Sequence, residues 1–389
     1  MDLVRIPPSR IVEVSRLAFT TPDVDFLCFG ESDQPSPQVA IDAAKAALDD
    51  GLTRYPDVRG LLPLRETLAA YLTGLHARPV TVDRIQVTAS GMAALGIALA
   101  ATVRAGDRVV LHSPAWPNIG NAARLRGAVV EEIDLTPQSG GGFRLDLNRL
   151  ETMLHGARAL ILNSPNNPTG WMATCKEIAA ILKLTRRHGV WLISDEVYSR
   201  LIYDGSAAAP SVLDVAGPDD RVIVCNSFSK TWIMTGWRLG WLVLPAGAEE
   251  AVADIVEVVH SGVAPFIQQA GIAAATDPGA VERFRAWCAQ GRATAAEALT
   301  GLNGIRYQSP PGAFYAFVGL EGVVDSLTLA KKLVLKHHVA VAPGIAFGQA
   351  GEGHLRICFA QSPNRMARAM QRLRDGLQAE MATGLEFVA

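Results

Sequence analysis

The sequence predicts an α/β protein whose functional residues lie at one edge of a large, mostly parallel sheet. Through the middle of the chain, short apolar runs rich in β-branched residues alternate with longer segments of helical periodicity. Several runs are apolar throughout rather than at every second position, which is typical of strands covered on both faces. Strands that alternate with helices in this way form a parallel sheet with helices packed against it.

Seven of the apolar runs are predicted strands. They comprise residues 82–88, 108–112, 129–135, 159–163, 191–194, 222–226 and 239–244. Predicted helices between them include residues 61–72, 91–103 and 174–188. Ligands of parallel sheets bind beyond the carboxyl ends of the strands, so polar residues directly after these runs are candidates for a site.

A second, smaller α+β domain is predicted where the alternation stops, after Pro278. This part contains a predicted helix at 281–302, a mixed region with few buried strands, and an amphipathic helix at 364–380. We therefore expect the chain to have three parts. They are an amino-terminal segment, residues 1–45, that joins the small domain, a large domain at 46–280, and a carboxy-terminal small domain at 281–389.

The composition excludes several classes of protein. Of the 389 residues 49% are hydrophobic, which is incompatible with a disordered chain. The 36 lysines and arginines do not outnumber the 38 aspartates and glutamates, so binding to nucleic acid is not expected. The longest nearly apolar stretch, residues 92–103, falls short of the ~20 residues that span a bilayer, so no membrane association is expected.

The five cysteines indicate the cellular compartment. They are odd in number, widely spaced and include no CxxC pair, so neither a disulfide framework nor a zinc site is expected. The eight histidines show no metal-ligand spacing either. We expect the cysteines to pack as small core residues in a cytoplasmic protein that binds no metal.

A lysine at the exit of the predicted strand 222–226 is the first candidate catalytic group. Lys230 follows Ser227 and Ser229, and Arg238 comes eight residues later. A lone lysine in a loop is usually a solvated surface charge. Two hydroxyls and a guanidinium that converge on one point suit a dianionic phosphate, however, and a lysine beside them suits an imine with a carbonyl cofactor.

An acidic string follows the predicted strand 191–194. The pair Asp195 and Glu196 could be a helix cap or a metal ligand, as acidic residues after strands often are. At the carboxyl edge of a sheet, Asp195 could instead hold a proton on a pyridine nitrogen and so make the ring an electron sink. Tyr198, three residues later, could reach a phenolate oxygen of the same ring.

A third string, SPNNPTG at residues 164–170, follows the predicted strand 159–163. Its Asn-Pro and Thr-Gly steps commonly form turns, but the string is more specific than a turn requires. The three strings, in this order, resemble the class I and II aminotransferases, which are fold-type-I enzymes that use pyridoxal 5′-phosphate (PLP). The resemblance implies a seven-stranded, mostly parallel sheet in a large PLP-binding domain, together with the smaller α+β domain.

The resemblance covers nearly the whole chain. Further matching segments are Phe29-Gly30-Glu31 with Pro35 and Pro37, Tyr55 with Gly60, Leu64 and Arg65, Ser90-Gly91, SPAWPN at 113–118, and His354-Leu355-Arg356-Ile357. One such match could arise by chance, but this number in the same order does not.

The resemblance also implies how PLP is held. Lys230 would form the imine with PLP and later carry the substrate's proton, and Asp195 would pair with the pyridinium. Asn167 and Tyr198 would hydrogen-bond the phenolate, and Trp116 would stack on the ring. The residues expected around the phosphate are Ser90, Gly91, Met92, Ser227, Ser229, Arg238 and, from the neighbouring subunit, Tyr55.

The implied activity is ping-pong transfer of an amino group from an L-amino acid to a 2-oxo acid in a homodimer with shared active sites. Arg356 would bind the substrate's α-carboxylate, in a substrate site that also includes Gly30, Trp116 and Asn167. Another fold-type-I PLP activity, such as a carbon–sulfur β-lyase or a decarboxylase, stays open, because these enzymes use the same lysine and aspartate.

Two other classes are not expected. A PLP-sensing transcription factor needs a DNA-binding module ahead of the core, and the matching segments already begin near Phe29. A nicotinamide dehydrogenase would have a GxGxxG string opening its first βα unit, and this chain has none there.

The residue after Gly91 helps to predict which amino donor the enzyme prefers. In one subgroup of aspartate-using relatives a lysine follows this glycine and binds the side-chain carboxylate, whereas here Met92 follows. Methionine offers a flexible apolar wall and no charge. The sequence therefore predicts that neutral apolar or aromatic amino donors are preferred over aspartate.

Overall fold

The large sheet of this computed structural model, which describes residues 6–382, has seven strands. They are β2 (Ile85–Thr88), β3 (Arg108–Ser113), β4 (Val129–Asp134), β7 (Ala159–Asn163), β8 (Trp191–Asp195), β9 (Val222–Ser227) and β10 (Gly240–Val243). Their order is β2-β10-β9-β8-β7-β3-β4, and only β10 runs antiparallel to its neighbours. The prediction of a mostly parallel seven-stranded sheet is confirmed.

The strand boundaries differ from the predicted ones by one residue at most, with one exception. The strand β2 begins at Ile85 because residues Val82–Arg84 form a 3-10 turn before it. The strands β7, β8 and β9 are buried along almost their whole length, as expected for strands covered on both faces.

Helices cover both faces of the large sheet and pack around the remaining strands. They are α1 (Arg10–Thr20), α2 (Gln38–Asp49), α3 (Leu62–Leu75), α4 (Gly91–Thr102), α5 (Pro117–Leu125), α6 (Leu147–Leu154), α7 (Cys175–His188), α8 (Phe228–Thr231), α9 (Glu249–His260), α10 (Pro265–Thr276), α11 (Ala280–Leu299), α12 (Ser326–His337) and α13 (Pro363–Ala382). The helix α7 shows how the sequence sets such limits. A reciprocal capping box between Thr174 and Glu177 begins it, and Gly189 ends it in the left-handed conformation, with a φ of 65°.

A smaller antiparallel sheet lies in the carboxy-terminal part. It contains β11 (Ile305–Arg306), β12 (Tyr315–Leu320), β14 (Ala342–Pro343) and β15 (His354–Cys358), in the order β11-β12-β15-β14. The expectation of few buried strands here was wrong for β12 and β15, since every residue of both is buried. Helices contact this sheet, and Tyr198 and Leu201 from the large-sheet loops belong to the same hydrophobic core.

Four short strands form two-stranded ribbons. The strand β1 (Asp25–Phe26) pairs in parallel with β13 (Val339–Ala340), and β5 (Thr136–Pro137) pairs with β6 (Phe143–Arg144). Beside β1, the buried Asp25 accepts hydrogen bonds from Arg368 and Arg372 of α13. This ion pair connects the amino-terminal segment to the last helix.

The apolar cores support the proposed division into domains, whose boundaries stay a prediction. Two clusters of buried side chains lie against the large sheet, and a third joins residues 11–28 to residues 284–377. Ala40 and Ala44 of α2 belong to a large-sheet core, although the predicted amino-terminal segment extends to residue 45.

Two further predictions concern the burial of the cysteines and the presence of membrane-spanning helices. Four of the five unpaired cysteines are buried, whereas Cys175 is exposed at the start of α7 and is not a core residue as expected. None of the helices within residues 6–382 combines the length and the apolar character needed to cross a membrane.

Candidate active site

A cavity of about 370 Å³ lies at the carboxyl ends of β7, β8 and β9, between the large sheet and the smaller one. All but two of the predicted site residues line it. Those that do are Gly30, Gly91, Met92, Trp116, Asn167, Asp195, Tyr198, Ser227, Ser229, Lys230, Arg238 and Arg356. Residues from both ends of the chain thus meet residues from its middle.

One end of the cavity is the first turn of α4. The side chain of Ser90 caps this helix by accepting a hydrogen bond from the Ala93 amide at 3.0 Å. A Cβ atom added to Gly91 would lie 3.0 Å from the Ser227 Cβ, and one added to Gly240 would lie 2.8 Å from the Gly91 nitrogen. At Gly91 and Gly240 the neighbouring atoms lie so close that a side chain would be crowded, so glycine permits the tight packing at this end of the cavity.

Hydroxyl and guanidinium groups surround this helix start. The Ser227 hydroxyl donates to the Ser229 hydroxyl at 2.9 Å, and it accepts from the Ser229 amide at 3.0 Å. Arg238 lines the same cavity, with its backbone in the left-handed region at a φ of 56°. The first amides of a helix lack partners within the helix and favour an anion, so this end of the cavity suits a phosphate.

The carboxylate of Asp195 is buried at the end of β8. Its one described hydrogen bond comes from the Val197 amide at 3.4 Å. Burial raises the pKa of Asp195 to about 7, because the loss of hydration outweighs the lowering by this one hydrogen bond and by the charge of Lys230. A protonated ring nitrogen is the kind of group that would offset this cost.

The neighbouring Glu196 has a different role. Its carboxylate accepts from the hydroxyls of Ser194 at 2.9 Å and Ser211 at 2.6 Å and from the Val212 amide at 3.2 Å. These bonds hold the loop after β8. Within residues 6–382, no cluster of three or more histidine, cysteine or acidic side chains could hold a metal ion.

The amine of Lys230 lies inside the cavity. Its Nζ donates to the Gly30 carbonyl at 2.6 Å. Burial lowers the pKa of Lys230 to about 8, and the positive charges of Arg356 and Arg238 act in the same direction. A lysine with this pKa has a substantial neutral fraction at physiological pH and can act as nucleophile or base.

The guanidinium of Arg356 forms the opposite wall, on β15. Its Nη1 donates to the Asn167 side-chain oxygen at 3.0 Å, and its Nη2 donates to the Cys28 carbonyl. Its Nε is buried and has no hydrogen-bond partner within the described residues. Arg356 lines the cavity, and a guanidinium with an unused N–H can donate a hydrogen bond to an anionic ligand such as a carboxylate.

Two predicted residues do not line the cavity. Ser90 lies directly beneath it and acts as the cap of α4. Tyr55 is 91% exposed, so it does not reach the cavity of its own chain, and its expected contact in a neighbouring subunit stays a prediction.

Sequence reasoning missed several lining residues, of which Tyr315 is the most important. It is fully buried at the start of β12, and its hydroxyl lies 2.8 Å from that of Tyr198. The two tyrosines are 117 positions apart in sequence. The string Pro310-Pro311-Gly312 before β12 looks like an ordinary turn, so no local signal marks the residue.

Replacing Asp195 by asparagine is expected to stabilise the ligand-free chain at alkaline pH. Between pH about 4 and about 7 the folded chain keeps a proton that the unfolded chain has lost, so this carboxyl reduces stability as the pH rises. A shift from 3.8 to about 7 corresponds to about 4 kcal/mol. Thermal unfolding of the two ligand-free proteins should coincide near pH 4 and diverge by pH 8, with Asp195→Asn the more stable.

The matched control is Asp49→Asn at the exposed end of α2. A wild-type protein that is more stable than Asp195→Asn at both pH values would show that the buried carboxylate meets a cation after all.

Comparison with known proteins identifies the family. The family model described as "Aminotransferase class I and II" matches residues 23–373. An aspartate aminotransferase from Pyrococcus horikoshii is 33% identical over 96% of each chain, and an aromatic-amino-acid aminotransferase 2 from Thermococcus litoralis is 33% identical over 97% of each. The crystal structure of an aromatic aminotransferase from Pyrococcus horikoshii OT3, 33% identical, superposes with a TM-score of 0.85 and covers 95% of this chain and 99% of that one. This chain belongs to the class I and II aminotransferases, the PLP-dependent family that its sequence motifs resemble.

Proposed function

We propose that the cavity at the carboxyl edge of the large sheet holds PLP and that Lys230 is the residue which handles the substrate's proton there. The chain is a PLP-dependent aminotransferase, which moves an amino group from an amino acid to a 2-oxo acid in two half-reactions. One observation supports these roles for the residues of the cavity. The half-buried Lys230, the buried Asp195 and the start of α4 come from separate segments and line one cavity.

The chemistry of the lining residues fits PLP. The amides of Gly91 and Met92, the hydroxyls of Ser227 and Ser229, and Arg238 would hold the phosphate. Four further residues would contact the ring. Asp195 would pair with the ring nitrogen, Tyr198 and Asn167 would hydrogen-bond the phenolate oxygen, and Trp116 would stack on the ring. When bound, PLP supplies an electron sink for the charge left on the substrate's α-carbon.

The protein's own groups then bind the substrate and move its proton. The lowered pKa of Lys230 leaves Nζ partly neutral near pH 8, so it can accept the proton from the α-carbon and return it elsewhere. The unsatisfied Nε and the two Nη atoms of Arg356 offer a planar set of donors for the α-carboxylate. Asn167, which already contacts Arg356, orients that guanidinium.

Replacing Lys230 by alanine is expected to reduce turnover by at least ~10⁴-fold, because both the covalent attachment and the proton carrier are lost. The contacts to the phosphate do not involve this side chain, so Lys230→Ala should still take up PLP. Reduction of the wild-type holoenzyme with borohydride, followed by peptide mapping, should place the cofactor on Lys230.

The matched control is Lys176→Ala on the exposed surface of α7, which should keep both turnover and labelling. Label found on a lysine other than Lys230, or normal turnover by Lys230→Ala, would contradict the assignment.

We further propose that the amino donor is neutral. Four charged side chains within residues 6–382 line the cavity, and all four have roles toward PLP or the α-carboxylate: Asp195, Lys230, Arg238 and Arg356. The rest of the wall includes apolar side chains, namely Ile11, Val12, Phe29, Met92 and Ile119. A side-chain carboxylate buried against such a wall without a cation would be strongly disfavoured. The relatives named above act on aspartate and on aromatic amino acids, so their names leave the choice open.

Aspartate is expected to be a poor donor. Its kcat/KM should be ~10- to 100-fold below those of leucine, methionine and phenylalanine, because its second carboxylate meets no partner. The variant Met92→Lys, which places a cation beside the phosphate end, should raise kcat/KM for aspartate selectively. A wild-type preference for aspartate over all three apolar donors would reveal a cation from outside the cavity lining, for example from the neighbouring subunit.

We propose that the enzyme is a cytoplasmic homodimer with shared active sites. Tyr55, Val258 and Val259 are exposed, and the segments that carry them approach each other, since a Cβ atom added to Gly262 would lie 2.9 Å from the Pro56 side chain. Exposed apolar side chains grouped in this way are typical of a surface that another chain covers. The absence of any disulfide among the five cysteines agrees with a reducing compartment.

A mixture of two inactive variants is expected to recover activity if Tyr55 completes the partner's site. In a symmetric dimer, random exchange between Tyr55→Ala and Lys230→Ala subunits would leave about a quarter of the sites with both native residues. Activity should therefore return to about that fraction of wild type after mixing. Exchange of labelled subunits without any return of activity would refute the shared site.

A further inference from the structure

Tyr315 lies where the cofactor end and the carboxylate end of the cavity meet. It begins β12, lines the cavity, and is completely buried. Its hydroxyl is so close to Gly30 that a Cβ atom added there would lie 2.3 Å from the hydroxyl oxygen. None of the roles proposed above uses this residue.

The hydroxyl of Tyr315 contacts that of Tyr198. The two oxygens are 2.8 Å apart, and the rings meet edge to face with centroids 5.6 Å apart. Burial raises the pKa of both phenols, so each is protonated at neutral pH. Each phenol has one proton to donate, and a Tyr198 that donates to the cofactor must therefore accept from Tyr315.

The ring of Tyr315 contacts Arg356. In the antiparallel pair of β12 and β15, Tyr315 is opposite Cys358, so it lies diagonally beside Arg356 on the same face. The guanidinium carbon lies 4.5 Å from the centroid of the Tyr315 ring and 4.9 Å from that of Phe347. Two aromatic rings thus set the position of a cation that is 2% exposed.

We propose that Tyr315 is a positioning residue that serves both ends of the site. Its hydroxyl donates to Tyr198 and so strengthens the hydrogen bond from Tyr198 to the cofactor's phenolate oxygen, while its ring holds Arg356 in place for the substrate's α-carboxylate. A donor that itself accepts a hydrogen bond is polarised and donates more strongly. The inference rests on the proposed function, because it assumes that Tyr198 faces PLP.

Charged groups around Tyr198 contribute to the pH at which the absorbance of the bound cofactor changes. Asp195, Arg356 and Lys230 act on it from three different segments, and Tyr315 contacts it directly. In the holoenzyme without substrate, a weaker hydrogen bond to the phenolate leaves more negative charge on that oxygen. The nitrogen that joins Lys230 to the cofactor then keeps its proton to higher pH. The pH at the midpoint of the cofactor's absorbance change therefore rises.

The variant Tyr315→Phe removes the hydroxyl and keeps the ring. We expect the absorbance midpoint of its holoenzyme to rise by about 0.5 to 1 pH unit, the equivalent of one hydrogen bond. The KM values for amino acid and 2-oxo acid should stay within about twofold of wild type, because the aromatic contact with Arg356 remains. The variant Tyr315→Leu, which loses the ring as well, should raise both KM values by about five- to thirtyfold.

The double variant decides whether Tyr315 acts through Tyr198. In a Tyr198→Phe background, Tyr315→Phe should cause no additional shift of the midpoint, since the bond that it supports is already gone. The matched control is Tyr203→Phe, which loses a phenol hydrogen bond of 2.6 Å to the Ala313 carbonyl in the same core but outside the cavity. This control should leave the midpoint unchanged.

Three results would overturn the proposal. They are a wild-type midpoint in Tyr315→Phe, an equal shift in the presence and absence of the Tyr198 hydroxyl, and unchanged KM values in Tyr315→Leu. These results are distinct from a failure of the proposed function, in which the wild-type protein itself would bind no PLP or would not convert it on mixing with amino acids.

Discussion

Burial of charge at the carboxyl edge of the large sheet is the constraint on which the site depends. Asp195 is buried and Lys230 is half-buried in the cavity wall, and their described hydrogen bonds go to a backbone amide and a backbone carbonyl rather than to an opposite charge. Desolvation therefore moves the pKa of the carboxyl up to about 7 and that of the amine down to about 8. A bound group with a complementary charge removes this cost, so cofactor binding and stability are coupled.

A set of hydrogen bonds behind the cavity explains why the string at 164–170 is more specific than a turn needs to be. The side-chain oxygen of Asn163 accepts from the Asn167 amide at 2.9 Å, and that of Asn166 accepts from the amide and the hydroxyl of Thr169. These bonds fix the backbone at Asn167, whose side chain then meets Arg356. Loop residues that look interchangeable in sequence thus hold the orientation of a buried guanidinium in the cavity wall.

The site lies at a seam between two packed units. The large sheet supplies the groups assigned to PLP, whereas the smaller sheet supplies Arg356 and Tyr315, and α1 supplies Ile11 and Val12. The ion pair of Asp25 with Arg368 and Arg372 ties the amino-terminal segment to α13, on the side of the smaller sheet. The relative position of the two units therefore sets the distance between the start of α4 and Arg356 across the cavity.

The sequence by itself determined the seven strands, the main helices and many of the residues that line the cavity. Apolar runs are local signals of strands buried on both faces, and polar residues at their exits, such as Asp195 and Lys230, meet because parallel strands end at one edge. Only the tertiary structure decided that β12 and β15 are fully buried and that Tyr315 contacts both Tyr198 and Arg356. It also placed Tyr55 outside the cavity of its own chain. The physical reason is that these outcomes depend on tertiary packing between distant segments: Tyr198 and Tyr315 are 117 positions apart, and such contacts leave no periodic trace in the sequence.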